Sequence, residues 1–322
     1  MSSYEVLGIG APVVDHIIPV DSHFLDNLPG TKRGMIPVDY AMLTKIICDA
    51  KVKPKTFLGG SGANTIRGLA KFGYRCAFTG KIGQDSASKL FLQNLQELNI
   101  VPLLSYSNTP MAQVVCLISE RGERTMRSFL GASKEMKPED LKPEMFKGVH
   151  LVHIEGYQML YENVVQRTME LAKAAGAKVS FDLGSFEVVE KHKKQIIGLL
   201  GRYVDVLFAN EDETYALTKL APEPACSILR DICDTVVVLM GVKGCWVGSG
   251  EKQIQCPAYP VEPLDTTGAG DMFASGFLHG YLKGKSLEES AHYGALAGAA
   301  VVQVHGTELP STLWSELINK CK

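Results

Sequence analysis

The chain lacks most of the signals that would set it apart from ordinary globular proteins. Its eight cysteines (Cys48, Cys76, Cys116, Cys226, Cys233, Cys245, Cys256 and Cys321) are scattered and form no Cys-x-x-Cys pair. That argues against a zinc ribbon or a thioredoxin-like centre, and fits small buried hydrophobes in a reducing compartment. The histidines show no metal-ligand spacing: His150 and His153 point to opposite faces of an expected strand, and His279, His292 and His305 are far apart. No charge of one sign dominates, with 33 Lys and Arg against 35 Asp and Glu, a formal net charge of −2 and no basic patch. A nucleic-acid partner is therefore not expected. No apolar run approaches the roughly 18 residues of a membrane-spanning helix. The start, "MSSYEVLGIG", lacks the basic opening and apolar centre of a signal peptide. Internal repeats, low-complexity tracts and Pro/Ser-rich linkers are missing too. The expectation is a soluble, cytoplasmic protein acting on a small molecule, with monomer and homodimer both open.

What is present is a regular alternation. With 322 residues and 46% hydrophobic side chains, one large domain can bury an ample core. "YEVLGIG", "CAFTGKIG", "VHLVHIEG", "AKVSFDL", "VDVLFAN", "DTVVVLMG" and "CWVGSG" read as strands. "TIRGLAKFG", "SASKLFLQNLQEL" and "VVQRTMELAKAAG" read as helices, two of them closed by a glycine. This rhythm predicts an α/β fold, doubly wound, with a mainly parallel sheet and helices on both faces. Ligands in such sheets sit beyond the carboxyl ends of the strands. Two segments break the pattern: Val13 to Asp21 alternates without a prompt helix, and Ala112 to Gly131 reads as two strands around "ERGER". They predict a small antiparallel flap inserted from about 12–40 and 103–130, either a lid or a plain edge hairpin.

Three glycine-rich stretches could hold phosphate. "GIGAPV" (Gly8 to Val13) starts like a dinucleotide fingerprint, but Pro12 and a β-branched run replace the helix that must receive the pyrophosphate. "GYLKGKS" (Gly280 to Ser286) is one residue short of a phosphate loop and follows a helix rather than a strand. "DTTGAGD" (Asp265 to Asp271) has the right setting, entering from "VEPLD" and leaving as the helix "MFASGFLHGYL". Its glycines let backbone N–H groups converge on an anion at a helix N-terminus. Asp271 can then accept a proton from an attacking hydroxyl, with the helix dipole keeping it ionised. The plain alternative is a tight turn in which Asp271 only caps the helix.

"DTTGAGDMFASGFL", together with "GGSGANTIRGLAKFGYRCAFTGKIGQD" (Gly59 to Asp85), resembles the two signatures of the ribokinase/PfkB carbohydrate kinases. The likeness extends over nearly the whole chain, through the flap segments, "FANEDE" and "MGVKG". It implies a ribokinase-like fold with a small β-sheet lid, and transfer of the γ-phosphate of ATP, with Mg²⁺, to a sugar hydroxyl. It places Asp271 as catalytic base and Gly268, Ala269 and Gly270 as the anion hole. Asp15, Gly59, Gly60 and Asn64 would line the sugar site, Asp15 accepting hydroxyl hydrogen bonds. Asn210 and Glu213 would organise Mg²⁺ and phosphate through water, and Gly241 and Gly244 would support the nucleotide. Asp265, Thr267 and Gly306 lie where many members bind a monovalent cation such as K⁺. Glu155, at a strand end, is a pocket candidate on position alone.

Many sugar-using members carry Asp-x-Asn-x-Arg after a central strand. Here "FDLGSFEVVE" (Phe181 to Glu190) lacks the Asn and the Arg, which disfavours a phosphorylated sugar. "GERTMRSFLGAS" and the same segment resemble the bacterial adenosine kinase-like branch, and Phe129 and Phe186 could stack on a base. Adenosine is the first expectation and a free sugar, ribose or fructose, the alternative. From other classes, a non-catalytic nucleotide- or sugar-binding regulator would be expected to have lost the base or the loop, and an NAD-dependent oxidoreductase has only "GIGAPV" in support.

Overall fold

The computed structural model describes residues 4–29, 35–120 and 124–322, so the centre of the "ERGER" turn and residues 30–34 of the first flap segment lie outside the described residues. The chain enters as β1 (Val6–Ile9) and passes through Gly10–Pro12 into β2 (Val13–Pro19), α1 (Ser22–Asp26), β3 (Met35–Pro37), α2 (Tyr40–Asp49) and β4 (Lys55–Gly59). It returns as α3 (Ser61–Lys71) and β5 (Cys76–Thr79), then β6 (Lys81–Ile82), α4 (Ser86–Glu97), β7 (Val101–Pro102) and β8 (Ser105–Tyr106). The antiparallel strands β9 (Ala112–Ile118) and β10 (Arg124–Phe129) follow. Next come β11 (Leu151–Glu155), α5 (Val164–Ala174), β12 (Lys178–Asp182), α6 (Phe186–Tyr203), β13 (Val206–Asn210), α7 (Glu211–Thr218) and α8 (Pro222–Arg230). The chain ends through β14 (Thr235–Leu239), β15 (Cys245–Ser249), β16 (Lys252–Cys256), α9 (Ala269–Leu282), α10 (Leu287–Val301) and α11 (Ser311–Lys320).

Among the described residues the large sheet has the order β16-β15-β14-β13-β12-β11-β1-β5-β7. It is parallel from β14 to β7, with β15 and β16 antiparallel at one edge. Strands covered on both faces must be apolar throughout, and β1 and β11 are buried at every residue. Alternate residues serve alternate layers. Leu7 and Ile9 join the core with Val165, Met169, Val189 and Leu200, whereas Val6, Phe78 and Phe208 face Ile66, Phe91, Phe273 and Phe277. From β1 the order runs to β5 on one side and β11 on the other, so the crevice between them is a topological switch point, where such sheets bind ligands.

The second sheet has the order β3-β10-β9-β2-β4 and its own apolar layer of Ile18, Leu25, Leu43, Ile46, Val115 and Leu117. Asp15 alternates with Ile18 along β2 and so lies on the opposite face of that sheet. The flap boundaries differ from those expected. Lys55–Gly59 completes this sheet by pairing with β2, Ser105–Tyr106 pairs with β6 instead, and the sheet is mixed rather than antiparallel, β2 pairing parallel with β9 and β3 with β10. "KTFLG" escapes sequence reading because it is a short edge strand opening on two exposed residues.

The chain crosses between the sheets at two places where crossings are bonded in pairs. At one, the buried Glu155 accepts from Ala11 N (2.6 Å) and Gly62 N (2.8 Å). At the other, Ala132 N donates to Pro110 O (2.9 Å) and Met111 N to Asp85 Oδ2 (2.7 Å). Among the described residues no helix is long and apolar enough to cross a membrane.

Candidate active site

The "DTTGAGD" turn is tied at its base. Leu264 N donates to Val302 O at 2.7 Å. The buried Asp265 accepts from Thr267 N (2.9 Å) and Thr267 Oγ1 (2.7 Å) at one oxygen and from Gly306 N (3.1 Å) at the other. The three residues expected around a monovalent cation thus converge on one carboxylate. Gly268 caps α9 with φ +74°, a left-handed conformation, and a Cβ there would meet Thr307 Cγ2 at 2.5 Å. No side chain caps α9; Ala269 N turns back to Thr266 O (3.3 Å) and Met272 N to Gly268 O (2.9 Å), which leaves the Gly270 and Asp271 amides at the open end of the helix.

Asp271 follows in the first turn of that helix, where α3 receives it. Ser61 Oγ donates to its Oδ1 (2.7 Å) and Asn64 Nδ2 to its Oδ2 (2.8 Å), joining the two motifs across more than 200 residues. Thr65 Oγ1 adds a bond to Asp271 O at 3.2 Å. Burial raises the Asp271 carboxyl above its ordinary value, and the bonds from Asn64 and Ser61, with the charge of Arg67, only partly offset it. Desolvation acts on the carboxylate itself and outweighs the opposing effects. Asn64, expected to face sugar, uses its amide within the protein, its Oδ1 accepting from Arg67 NH1 (2.7 Å) and Thr307 Oγ1 (3.2 Å).

Asp15 packs against Gly59, at whose α-carbon a side chain would lie 2.2 Å from its Oδ2. Burial pushes its carboxyl up to about 6, against the lowering charge of Arg67. Glu155, read as a pocket residue, is 1% exposed and bonded to Ala11 N, Gly62 N and Gln158 Nε2 (3.1 Å). It is a brace between backbones rather than a free ligand group, and burial raises it to about 7.

Beyond β12 and β13, Asn210 and Glu213 form a capping box. Asn210 Oδ1 accepts from Glu213 N, and the Glu213 carboxylate accepts from Asn210 N and Nδ2 at 2.8–2.9 Å. Burial lifts Glu213 to about 7. Asp182, the last residue of β12, went unnoticed in the sequence. Burial first, then the charges of Glu213 and Asp271, push it well above the carboxylate range. The hydroxyl of Tyr157 is raised as well, by burial and by Asp182. Gly241 and Gly244 frame a turn after β14, with Met240 N bonded to Gly244 O at 2.8 Å and Val242 left 88% exposed. Of the two aromatics expected near a base, Phe129 packs on Tyr40 at 5.2 Å between centroids in the small sheet's own core, and Phe186 is exposed at the start of α6.

These carboxyls have a measurable consequence. Asp15, Glu155 and Glu213 bind protons more tightly folded than unfolded, where values near 4 apply. Their contribution to stability is complete below about pH 4 and is lost as pH rises through about 6 to 7. The ligand-free protein is expected to melt several degrees lower at pH 8 than at pH 5.5, measured by calorimetry. Buried His153, lowered to about 3, acts in the opposite sense over this range, so an equal or higher Tm at pH 8 would mean that the three carboxyls do not outweigh it.

The arrangement is that of the ribokinase-like phosphotransferases. The adenosine kinase of Sinorhizobium meliloti superposes with a TM-score of 0.87 at 28% identity, covering 98% of both chains. The ribokinase of Thermotoga maritima shares the fold, with a TM-score of 0.77 at 23% identity over 98% of this chain and 99% of that one. Residues 43–313 match the pfkB family carbohydrate kinase domain, and the chain belongs to that family. Among curated relatives, the ribokinase of Arabidopsis thaliana is 29% identical over 80% of this chain and 70% of that protein. The nucleoside kinase of Methanocaldococcus jannaschii is 26% identical over 83% and 86%. The protein is therefore a phosphotransferase acting on a hydroxyl group. Kinases of this family use ATP with Mg²⁺.

Proposed function

We propose that the protein phosphorylates the primary hydroxyl of a nucleoside, adenosine first, with Asp271 as general base. The observation that carries this reading is the position of Asp271: on the first turn of the uncapped α9, held by Ser61 and Asn64 of the other motif. A γ-phosphate at the Gly270 and Asp271 amides would find its developing charge stabilised by fixed dipoles. The acceptor hydroxyl, held by Asp15 and the backbone at Gly59 and Gly60, gives its proton to Asp271 as the new P–O bond forms and the bond to ADP breaks. The small sheet acts as a lid that excludes water from this transfer.

Asp182 and Glu213, two crowded carboxyls beyond neighbouring strands, suit a divalent ion held through water, and their raised values mark charge that a cation would relieve. Among the described residues no group of three or more His, Cys, Asp or Glu side chains is placed to hold a metal ion. Mg²⁺ there would screen the phosphate oxygens. The knot of Asp265, Thr267 and Gly306 would let K⁺ stiffen the anion loop, and the exposed Val242 offers an apolar surface to the nucleotide base.

Adenosine is favoured by the lack of Asn and Arg after Asp182 and by the likeness to the Sinorhizobium enzyme. A free sugar is the second reading, supported by the likeness to a ribokinase. ADP release from Mg-ATP against adenosine, inosine, ribose, fructose and phosphofructose decides between them. Turnover on adenosine at least tenfold above the sugars is expected. Preference for ribose or fructose would keep the mechanism and replace the substrate, and inactivity of the wild-type protein across the panel would defeat the substrate assignment.

A further inference from the structure

Arg67 lies outside every role considered so far, yet it is the largest polar group built into the back of the site. Its side chain is 7% exposed, stacked over Phe91 with 5.1 Å from the guanidinium carbon to the ring centroid. Nε donates to Asn94 Oδ1 (2.9 Å), NH1 to Asn64 Oδ1 (2.7 Å), and longer bonds reach Leu58 O and Gly59 O at 3.4–3.5 Å. Burial lowers its value only to about 10, so it stays charged at neutral pH.

A guanidinium has five donors and no acceptor. The atom of Asn64 that faces it must therefore be the amide oxygen, and the opposite atom, facing Asp271 Oδ2 at 2.8 Å, must be the amide nitrogen. Rotating the amide by 180° would set donor against donor at Arg67 and oxygen against carboxylate at Asp271. Thr307 Oγ1 lies 3.2 Å from both Asn64 Oδ1 and Leu58 O, so its one proton is shared between them and it only adds to the orientation Arg67 sets. Neither Arg67 nor Thr307 touches Asp271 through the bonds just described; each acts on it through Asn64.

We propose that Arg67 is a positioning residue for phosphoryl transfer, locking the Asn64 amide so that its nitrogen holds the Asp271 carboxylate in one orientation. This rests on the reading of Asp271 as base. Its role is to keep the proton-accepting oxygen aimed at the acceptor hydroxyl, and misplacement of a reacting group by about 1 Å can lower a rate by roughly 10²-fold.

The test measures Arg67→Met, Arg67→Lys and Thr307→Val, each with and without Asn64→Leu, and solves the crystal structure of Arg67→Met. Expected are a kcat lower by roughly 10- to 100-fold in Arg67→Met, KM for ATP within about twofold, and partial recovery in Arg67→Lys. In the Asn64→Leu background the Arg67 substitutions should lower kcat no further, because the relay is already cut. Wild-type kcat in Arg67→Met, or losses that simply add to those of Asn64→Leu, would overturn the proposal. If Arg67→Met fails to fold, Arg67→Lys and Thr307→Val carry the same cycle. Should the wild type prove inactive, the proposed function fails on that result, and the crystal structure still judges the relay: an Asn64 amide turned away from Asp271 supports it, an unmoved one refutes it.

Discussion

Asp271→Asn is expected to lower kcat by roughly 10²- to 10⁴-fold, the range a positioned general base contributes, while ADP affinity stays within about twofold. The substitution keeps the shape of the side chain and removes its capacity to take a proton. The new amide can keep both contacts, its oxygen accepting from Asn64 Nδ2 and its NH₂ donating to the Ser61 hydroxyl, which accepts as well as donates. The change also removes a carboxyl whose burial raises it above its ordinary value, so Tm should change little. Coupled-assay turnover, calorimetric ADP binding and a melting curve on one preparation separate these effects. Turnover above a tenth of wild type would take Asp271 out of the role of base, and loss of ADP binding in parallel would mean that the anion loop had collapsed.

A large loss of stability is expected from Gly60→Ala. Gly60 joins β4 to α3 at φ +90°, and a Cβ there would lie 2.3 Å from Ala11 O, a backbone atom. Ala11 cannot easily retreat, since its own N–H is held by Glu155. Strain at the backbone and the forced shift together should remove about 2–4 kcal/mol. A loss of this size should lower Tm by roughly 5–10 °C. Gly198→Ala is the control: Gly198 sits exposed within α6 with nothing within 4 Å of its Cβ position, so the same change there should stabilise by about 0.5–1 kcal/mol. Equal Tm for the two variants would show that the crowding at Gly60 is relieved at no expense.

Most of the large sheet was legible because its strands are short apolar runs punctuated by glycine and its helices carry apolar residues at helical spacing. The turn before α9 was legible for a local reason as well: all its parts lie within seven consecutive residues, Asp265 to Asp271. What escaped was made by contact between distant segments. Arg67, Ser61 and Thr307 read as ordinary helix or loop residues until α3, α9 and the Gly306 turn meet. Asp182 and Tyr157 gain significance only from carboxyls that other strands bring beside them. Glu155 was misjudged for a physical reason. The end of a parallel strand does face the ligand edge, but backbone amides of Ala11 and Gly62 reach this side chain first. Phe129 was likewise claimed by the apolar layer of the small sheet.

The paired crossings between the two sheets carry a mechanical consequence. One pair is fastened where Ala11 and Gly62 share Glu155, the other where Ala132 is bonded to Pro110. Two fastened points define a line, and a body attached at two points keeps a single easy rotation, the one about that line. Asp15 lies just beyond the first point, so a swing about this axis moves it through a short arc, whereas the strand ends of β9 and β10 far from the crossings travel furthest. On the proposed reading the axis separates two duties along one sheet: the end near it would aim the acceptor, and the far end would open and shut the way in.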